Sequence, residues 1–127
     1  MTLLANVLTT LVAVFHVGFM VLEMFFWNHA VGQRVFQLPP DVLASSAVLA
    51  ANQGLYNGLL AVGLLWSTWT SKRDVQAFFL GWVVVAGIFG AATAKLSILF
   101  TQALPGAVAL AFVIAVRRIG PARPVTG

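Results

Sequence analysis

The sequence predicts an all-α polytopic membrane protein, an antiparallel bundle of four transmembrane helices that forms a single domain over residues 1–127. Hydrophobic residues make up 61% of the chain and charged residues 8%, against about 25% charged residues in a typical soluble domain. Four apolar stretches have the length of about 20 residues that crosses a bilayer. This composition excludes a soluble enzyme and a disordered segment, and the absence of Cys excludes a disulfide-stapled secreted module.

Short connections separate the four predicted spans. The spans cover residues 3–27, 43–66, 75–94 and 96–116. Pro39 and Pro40 followed by Asp41 are typical of a helix start, because proline is tolerated in the first turn and an acid is favoured at the positive end of the helix dipole. Lys95 marks a tight connection, so we expect the third and fourth spans to be adjacent and antiparallel. The first span has no preceding Lys or Arg and contains His16 and Glu23, which favours a retained helix over a cleaved signal peptide.

The basic residues predict that both termini are cytoplasmic. With that orientation, five basic residues are cytoplasmic and two are outside. The cytoplasmic set is Lys72, Arg73, Arg117, Arg118 and Arg123, and the outer set is Arg34 and Lys95. We expect residues 117–127 to form a flexible basic cytoplasmic tail. Tryptophans near the predicted span ends are typical of interfacial anchors: Trp27, Trp66, Trp69 and Trp82.

Small residues at four-residue spacing predict where helices pack closely, since close approach favours association in lipid. The second span has Ala50, Gly54 and Gly58. The third span has Ala86, Gly90 and Ala94, with Gly87 and Ala91 alongside. In the fourth span the repeat is Ala103, Ala107, Ala111 and Ala115. Pro105 interrupts the hydrogen bonds of that span and predicts a kink.

Polar residues at membrane depth are the candidate functional residues. His16 and Glu23 lie seven residues apart and share one helix face with Thr9 and Trp27. The second span carries Asn52, Gln53, Tyr56 and Asn57 within about one and a half turns. If the two spans are aligned by their centres, Glu23 is level with Ser45, Ser46 and the residues just after them. Gln102 lies in the same outer half, so the sequence predicts a polar pocket that reaches from mid-membrane outwards.

An ionisable group near the bilayer centre costs roughly 2.5–3.5 kcal/mol on insertion scales, so it usually faces the bundle interior and finds a partner. The predicted ligand-binding set is His16, Glu23, Trp27, Asn52, Gln53, Tyr56, Asn57 and Gln102. His16 and Glu23 are also candidates for acid/base chemistry. A structural alternative stays open, in which the amides and Tyr56 only form interhelical hydrogen bonds. No metal or cofactor is expected, because His16 and His29 lack zinc-site spacing, and no basic patch suggests nucleic acid.

Four segments carry a family resemblance: FHVGFMVLEMFFW (Phe15 to Trp27), VLAANQGLYNG (Val48 to Gly58), VVAGIFGAAT (Val84 to Thr93) and TQALPGAVAL (Thr101 to Leu110). The chain resembles an uncharacterised family of small four-span bacterial integral membrane proteins, and the likeness covers nearly the whole chain. The resemblance implies the bacterial cytoplasmic (inner) membrane. It also implies that His16, Glu23, Asn52, Gln53, Tyr56, Asn57 and Gln102 match the family's characteristic polar positions. It implies no reaction.

Three function classes remain open. In the first, the pocket binds or transports a small hydrophobic or lipid-like molecule, with Glu23 and His16 supplying charge or protons. In the second, His16 and Glu23 are the acid and base of an isomerase-like intramembrane enzyme, although about 10 Å along the helix separates them. In the third, the protein is a structural membrane subunit without a ligand. The lipid bilayer is the expected partner in each case, and a homodimer also stays open.

Overall fold

The computed structural model describes residues 1–119 as an all-helical bundle. Its helices are α1 (Thr2–Phe25), α2 (Ala30–Phe36), α3 (Pro40–Trp69), α4 (Arg73–Thr93) and α5 (Leu104–Ile119). A π-helical segment, Leu99–Ala103, directly precedes α5. Four helices are long and apolar enough to cross a membrane: α1, α3, α4 and the continuous stretch Leu99–Ile119. The predicted four-span helical bundle is therefore confirmed.

The predicted boundaries agree with the structure to within a few residues. Helix α3 begins at Pro40 with Asp41 in its first turn, as the Pro39-Pro40-Asp41 pattern predicts. Arg117 and Arg118, predicted to begin the flexible tail, lie in the last turn of α5. The rest of that predicted tail, residues 120–127, lies outside the described residues.

Helices α1 and α3 pack closely along the predicted glycine face of α3. A Cβ added at Gly54 would lie 2.6 Å from Met24 Cγ, and one added at Gly58 would lie 2.6 Å from Met20 Sδ. These contacts are shorter than any side chain tolerates, so both positions need glycine unless the methionines move. The four-residue spacing therefore correctly predicts this helix contact.

The predicted register between α1 and α3 is wrong. We expected Glu23 to be level with Ser45 and Ser46, but Glu23 Cβ lies only 3.1 Å from the Cβ position of Gly54. The physical reason is that α3 is displaced along α1 by more than the difference in their lengths, 30 residues against 24, would give. Its first turns extend past the end of α1, so aligning the two helices by their centres places Glu23 too close to the start of α3.

The short helix α2 occupies the space beside this extension and was not predicted from the sequence. The Trp27 indole N–H donates to the Leu43 carbonyl oxygen and the Ser46 hydroxyl, both at 3.1 Å. The Trp27 ring also lies 4.3 Å from the ring of Phe36. Gly32 makes the close turn possible, because a Cβ there would lie 2.2 Å from the Trp27 carbonyl oxygen. Seven residues are too few to give a clear periodic signal.

Helices α4 and α5 are adjacent and antiparallel, as the tight connection at Lys95 predicts. A Cβ at Gly87 would lie 2.7 Å from the Ala103 backbone nitrogen, and one at Gly106 would lie 2.8 Å from Val83 Cγ1. The π-helical segment ends just before Pro105, whose missing N–H cannot close the usual bond to the residue four positions earlier.

The predicted alanine repeat of the fourth span is only partly buried. Ala107 and Ala111 are exposed, and the buried row is Ala103, Gly106, Ala109 and Val113. A strict four-residue repeat turns by about 40° around the helix at each step. Alternating steps of three and four residues are needed to stay on one face.

The closely packed core lies in one half of the bundle. In α1 the buried residues extend from Ala5 to His16 and not beyond. They pack with Ala61 and Leu64 of α3 and with buried apolar residues of α4 and α5. The other half, beside the C-terminal part of α1, is less densely filled and contains a cavity.

Candidate functional site

A cavity of about 890 Å³ lies between α1, α3, α4 and the π-helical segment. Its size is within the range of sites that bind small molecules. We call it the aromatic cavity, because aromatic side chains form much of its wall: Phe19, Phe36, Tyr56, Phe79, Trp82 and Phe89. Several of these side chains are also exposed, so the cavity is open at the surface of the bundle.

Polar groups reach this cavity from three different helical segments. Glu23 comes from α1, Asn57 and Gln53 from α3, and Gln102 from the π-helical segment. No lysine, arginine or histidine is among the described residues that line the wall. The cavity therefore combines one carboxyl group with several amides and a largely apolar aromatic surface.

Glu23 and Asn57 form the polar centre of the site. Asn57 Nδ2 donates a 2.7 Å hydrogen bond to Glu23 Oε2, which joins α1 to α3. Both side chains are half-buried and both line the cavity. The carboxyl group is thus held in place through one oxygen while the residue still faces the cavity.

Gln102 approaches the site from the segment where the helix is widened. It is half-buried, and its Nε2 lies 3.5 Å from the Val83 carbonyl oxygen, which is a weak hydrogen bond at most. Widened π-helical turns occur frequently at functional sites. The Gln102 amide is consequently free to bond another group within the cavity.

The aromatic wall was not predicted from the sequence. Trp82, expected near a span end as an interfacial anchor, lies in the middle of α4 and lines the cavity. Five of the six α4 lining residues are spaced three or four residues apart: Phe79, Trp82, Ala86, Phe89 and Thr93. The sequence contains this periodicity. However, apolar residues that face lipid show the same helical spacing, so the pattern does not distinguish a cavity wall from a lipid-facing surface.

The predicted ligand-binding residues do not all meet in one place. The aromatic cavity brings together Glu23, Gln53, Tyr56, Asn57 and Gln102. His16, Trp27 and Asn52 are not among its lining residues. The expectation of one pocket formed by all eight side chains is therefore wrong for these three, and the ligand-binding role of the other five stays a prediction.

His16 lies in the packed core, with 1% of its surface exposed. Its Nδ1 lies 2.8 Å from the Val12 carbonyl oxygen one turn earlier. Its Nε2 is buried and has no hydrogen-bond partner within the described residues. His16 and Glu23 share a helix face as predicted, but His16 lies about two turns away from Glu23 and faces the core.

Trp27 and Asn52 lie outside the cavity for different reasons. Trp27 is held against the start of α3 by the hydrogen bonds to Leu43 and Ser46. Asn52 is exposed on α3, on the side opposite Gly54 and therefore away from α1. The expected polar side of α3 is thus divided, with Asn57 towards α1 and Asn52 away from it.

A second polar cluster lies at the opposite end of the bundle. Gln76 is fully buried, and its Nε2 donates to Thr9 Oγ1 at 2.8 Å and to Thr68 Oγ1 at 3.2 Å. Arg73 donates to Gln76 Oε1 at 2.6 Å and also to Asn6 Oδ1. The sequence analysis placed Arg73 only among the cytoplasmic basic residues and did not single out Gln76. The signal was a lone amide one turn inside an apolar span, which lipid disfavours.

Comparison with known proteins gives a family match across most of the chain. Residues 10–114 match the family described as "Protein of unknown function (DUF1304)". An uncharacterized protein, YpaA, of Lactococcus lactis subsp. lactis (strain IL1403) is 32% identical over 106 residues, which cover 80% of this chain and 89% of the relative. No solved structure matches significantly.

Proposed function

Because the chain belongs to the DUF1304 family, whose function is unknown, we propose a function from its own cavity: it binds a small hydrophobic or lipid-like molecule within the membrane. The observation that carries the proposal is the convergence of Glu23, Asn57 and Gln102 on the aromatic cavity of about 890 Å³. A largely apolar cavity with a few placed polar groups is the usual form of a small-molecule site.

Access from the membrane follows from where the cavity opens. Trp82 and Phe89 line the cavity, are more than half exposed, and lie on α4, one of the four candidate membrane spans. A hydrophobic molecule dissolved in the bilayer therefore reaches the cavity sideways between helices. The proposal extends to transport if the bound molecule leaves the cavity on a different side of the bundle from the one by which it entered.

Acid/base catalysis is not part of the proposal. It would require His16 and Glu23 to act on one bound substrate, but His16 lies in the packed core and outside the cavity lining. The polar groups that reach the cavity are suited to orienting a ligand. Binding accounts for this arrangement without a chemical step.

We also propose that the protein lies in the bacterial cytoplasmic membrane with both termini in the cytoplasm. Arg73 bonds Asn6, so the start of α4 lies at the same end as the start of α1. Because α5 runs antiparallel to α4, Arg117 and Arg118 also lie at this end. The aromatic cavity then lies in the outer half of the membrane.

Photocrosslinking tests the binding proposal. The protein is reconstituted in phosphatidylcholine nanodiscs and irradiated with a diazirine-bearing long-chain alcohol, and labelled peptides are mapped by mass spectrometry. We expect saturable labelling of α4 and the π-helical segment at the cavity. Ala86→Trp, which places a large side chain in the wall, should abolish this labelling.

Ala92→Trp is the matched control, because Ala92 lies on the same helix, is exposed and is not a lining residue. It should leave the saturable labelling unchanged. Labelling that does not saturate, or that Ala86→Trp and Ala92→Trp affect equally, would mean that the probe only samples the lipid-facing surface. Either result would refute the proposal.

A further inference from the structure

We infer that the aromatic cavity selects lipophilic cations, molecules that carry an ammonium group on an apolar body. This inference rests on the proposed function and specifies its ligand class. It depends on three features of the cavity: a carboxyl group, the lack of a cationic side chain among the described lining residues, and the aromatic wall.

The carboxyl group of Glu23 has a neutral partner. Its Oε2 accepts a hydrogen bond from Asn57, and an amide supplies no positive charge. Lys95, at the tight connection between the third and fourth spans, is exposed and is not a lining residue. A carboxyl group in low-dielectric surroundings either keeps its proton or, when ionised, needs a cation to compensate its charge. A bound cation supplies the missing charge.

The aromatic wall suits the same ligand. Aromatic faces attract ammonium groups through their ring quadrupoles, and the attraction is stronger where water is excluded. Phe19 lies one turn before Glu23 on α1, and Tyr56 directly precedes Asn57 on α3. Phe19, Tyr56 and Trp82 all line the cavity, so rings from three helices surround the space that Glu23 faces. The same rings provide apolar contact for the ligand body.

Competing ligand classes fit less well. An anion would meet the Glu23 carboxyl group without any Lys, Arg or His among the described lining residues. A neutral molecule would gain the apolar contacts but would lack the attraction between an ammonium group and the Glu23 carboxylate. The expected order of affinity is therefore cation, then neutral molecule, then anion.

Three probes of nearly equal shape test this order by competition with the photolabelling described above. They are trimethyl(6-phenylhexyl)ammonium, its uncharged isostere with carbon in place of nitrogen, and a phenylalkyl sulfonate. Nanodiscs of phosphatidylcholine alone have a membrane surface without net charge. The competing concentrations are expressed as the amount of probe bound to the membrane, so that differences in partitioning into lipid do not affect the result. We expect the cation to compete at a concentration about tenfold or more below that of the isostere.

Glu23→Gln should reduce the difference between cation and isostere to less than about threefold, since the amide can still accept the Asn57 hydrogen bond but has no charge. Asp41→Asn is the matched control. It removes the same charge from an exposed position at the start of α3 and should preserve the preference.

A measurement on the unmodified protein covers the case in which Glu23→Gln does not fold. Dicyclohexylcarbodiimide labels carboxyl groups in apolar surroundings, and the cation should slow the labelling of Glu23 while the isostere has little effect. Equal competition by cation and isostere, or equal protection of Glu23, would overturn the inference and leave the binding proposal intact. Absence of saturable photolabelling would refute both.

Discussion

Gln76 Nε2 lies 2.8 Å from Thr9 Oγ1, and both side chains are fully buried between α4 and α1. Gln76 also donates to Thr68 on α3 and accepts from Arg73. One amide therefore links three membrane helices at the end of the bundle where the core is closed. At the opposite end, Glu23 and Asn57 link two helices beside a cavity.

Gln76→Leu should lower the free energy of unfolding in detergent by about 0.6–1.7 kcal/mol, which spans the average and the largest values found for interhelical hydrogen bonds by double-mutant cycles. The loss stays moderate because Thr9 and Thr68 keep their bonds to the backbone carbonyls one turn earlier. Gln33→Leu, at an exposed position on α2, is the control and should have little effect. Equal stability of both variants in a denaturant titration would contradict the linking role.

Asn57→Leu should destabilise the protein by a similar amount, about 0.6–1.7 kcal/mol, because Glu23 loses its hydrogen-bond partner on α3. Asn52→Leu removes the same amide five residues away on α3, where Asn52 is exposed, and should leave the stability of the monomer nearly unchanged. Thermal unfolding of the two variants in the same detergent measures the difference. A larger loss of stability for Asn52→Leu than for Asn57→Leu would mean that α3 makes its polar contact through the face that carries Asn52.

Gly87→Ala should destabilise the bundle by about 1–3 kcal/mol, the usual cost of forcing an extra methyl group into a close contact. Its Cβ would meet backbone atoms of Ala103, which cannot rotate away. Gly81→Ala, six residues earlier on α4, has nothing within 4 Å of the added Cβ. There the substitution should be neutral or stabilising by up to about 1 kcal/mol, because alanine favours helix more than glycine does. If Gly81→Ala were less stable than Gly87→Ala in thermal unfolding, the close contact between Gly87 and Ala103 would be refuted.

Cysteine accessibility tests the topology without background labelling, since the chain contains no Cys. Asn28→Cys, between α1 and α2, should react with a membrane-impermeant maleimide in intact spheroplasts. Thr70→Cys, at the end of α3, should react only after the membrane is opened. Both positions are exposed, so access to the reagent decides the result. The reverse pattern would place the termini outside and the aromatic cavity in the cytoplasmic half.

Whether a predicted residue lines the cavity depends on the physical signal by which the sequence identified it. Glu23, Asn57 and Gln102 are costly at membrane depth, so their position in an apolar span is enough to suggest an inward orientation. His16 was identified by the same argument and is indeed buried, but depth and helix face do not distinguish a packed core from a cavity. That distinction depends on how far each neighbouring helix extends.

Composition and the lengths of the apolar stretches were sufficient to determine the four helices, their order and the close contact at Gly54 and Gly58. These properties depend on local hydrophobicity and on spacing along one helix. The register of α1 on α3, the place of α2 and the position of the aromatic cavity were decided by the tertiary structure. They depend on how far α3 is displaced along α1 and on which of two opposite helix faces finds a partner. Both are decided only when separate segments pack together.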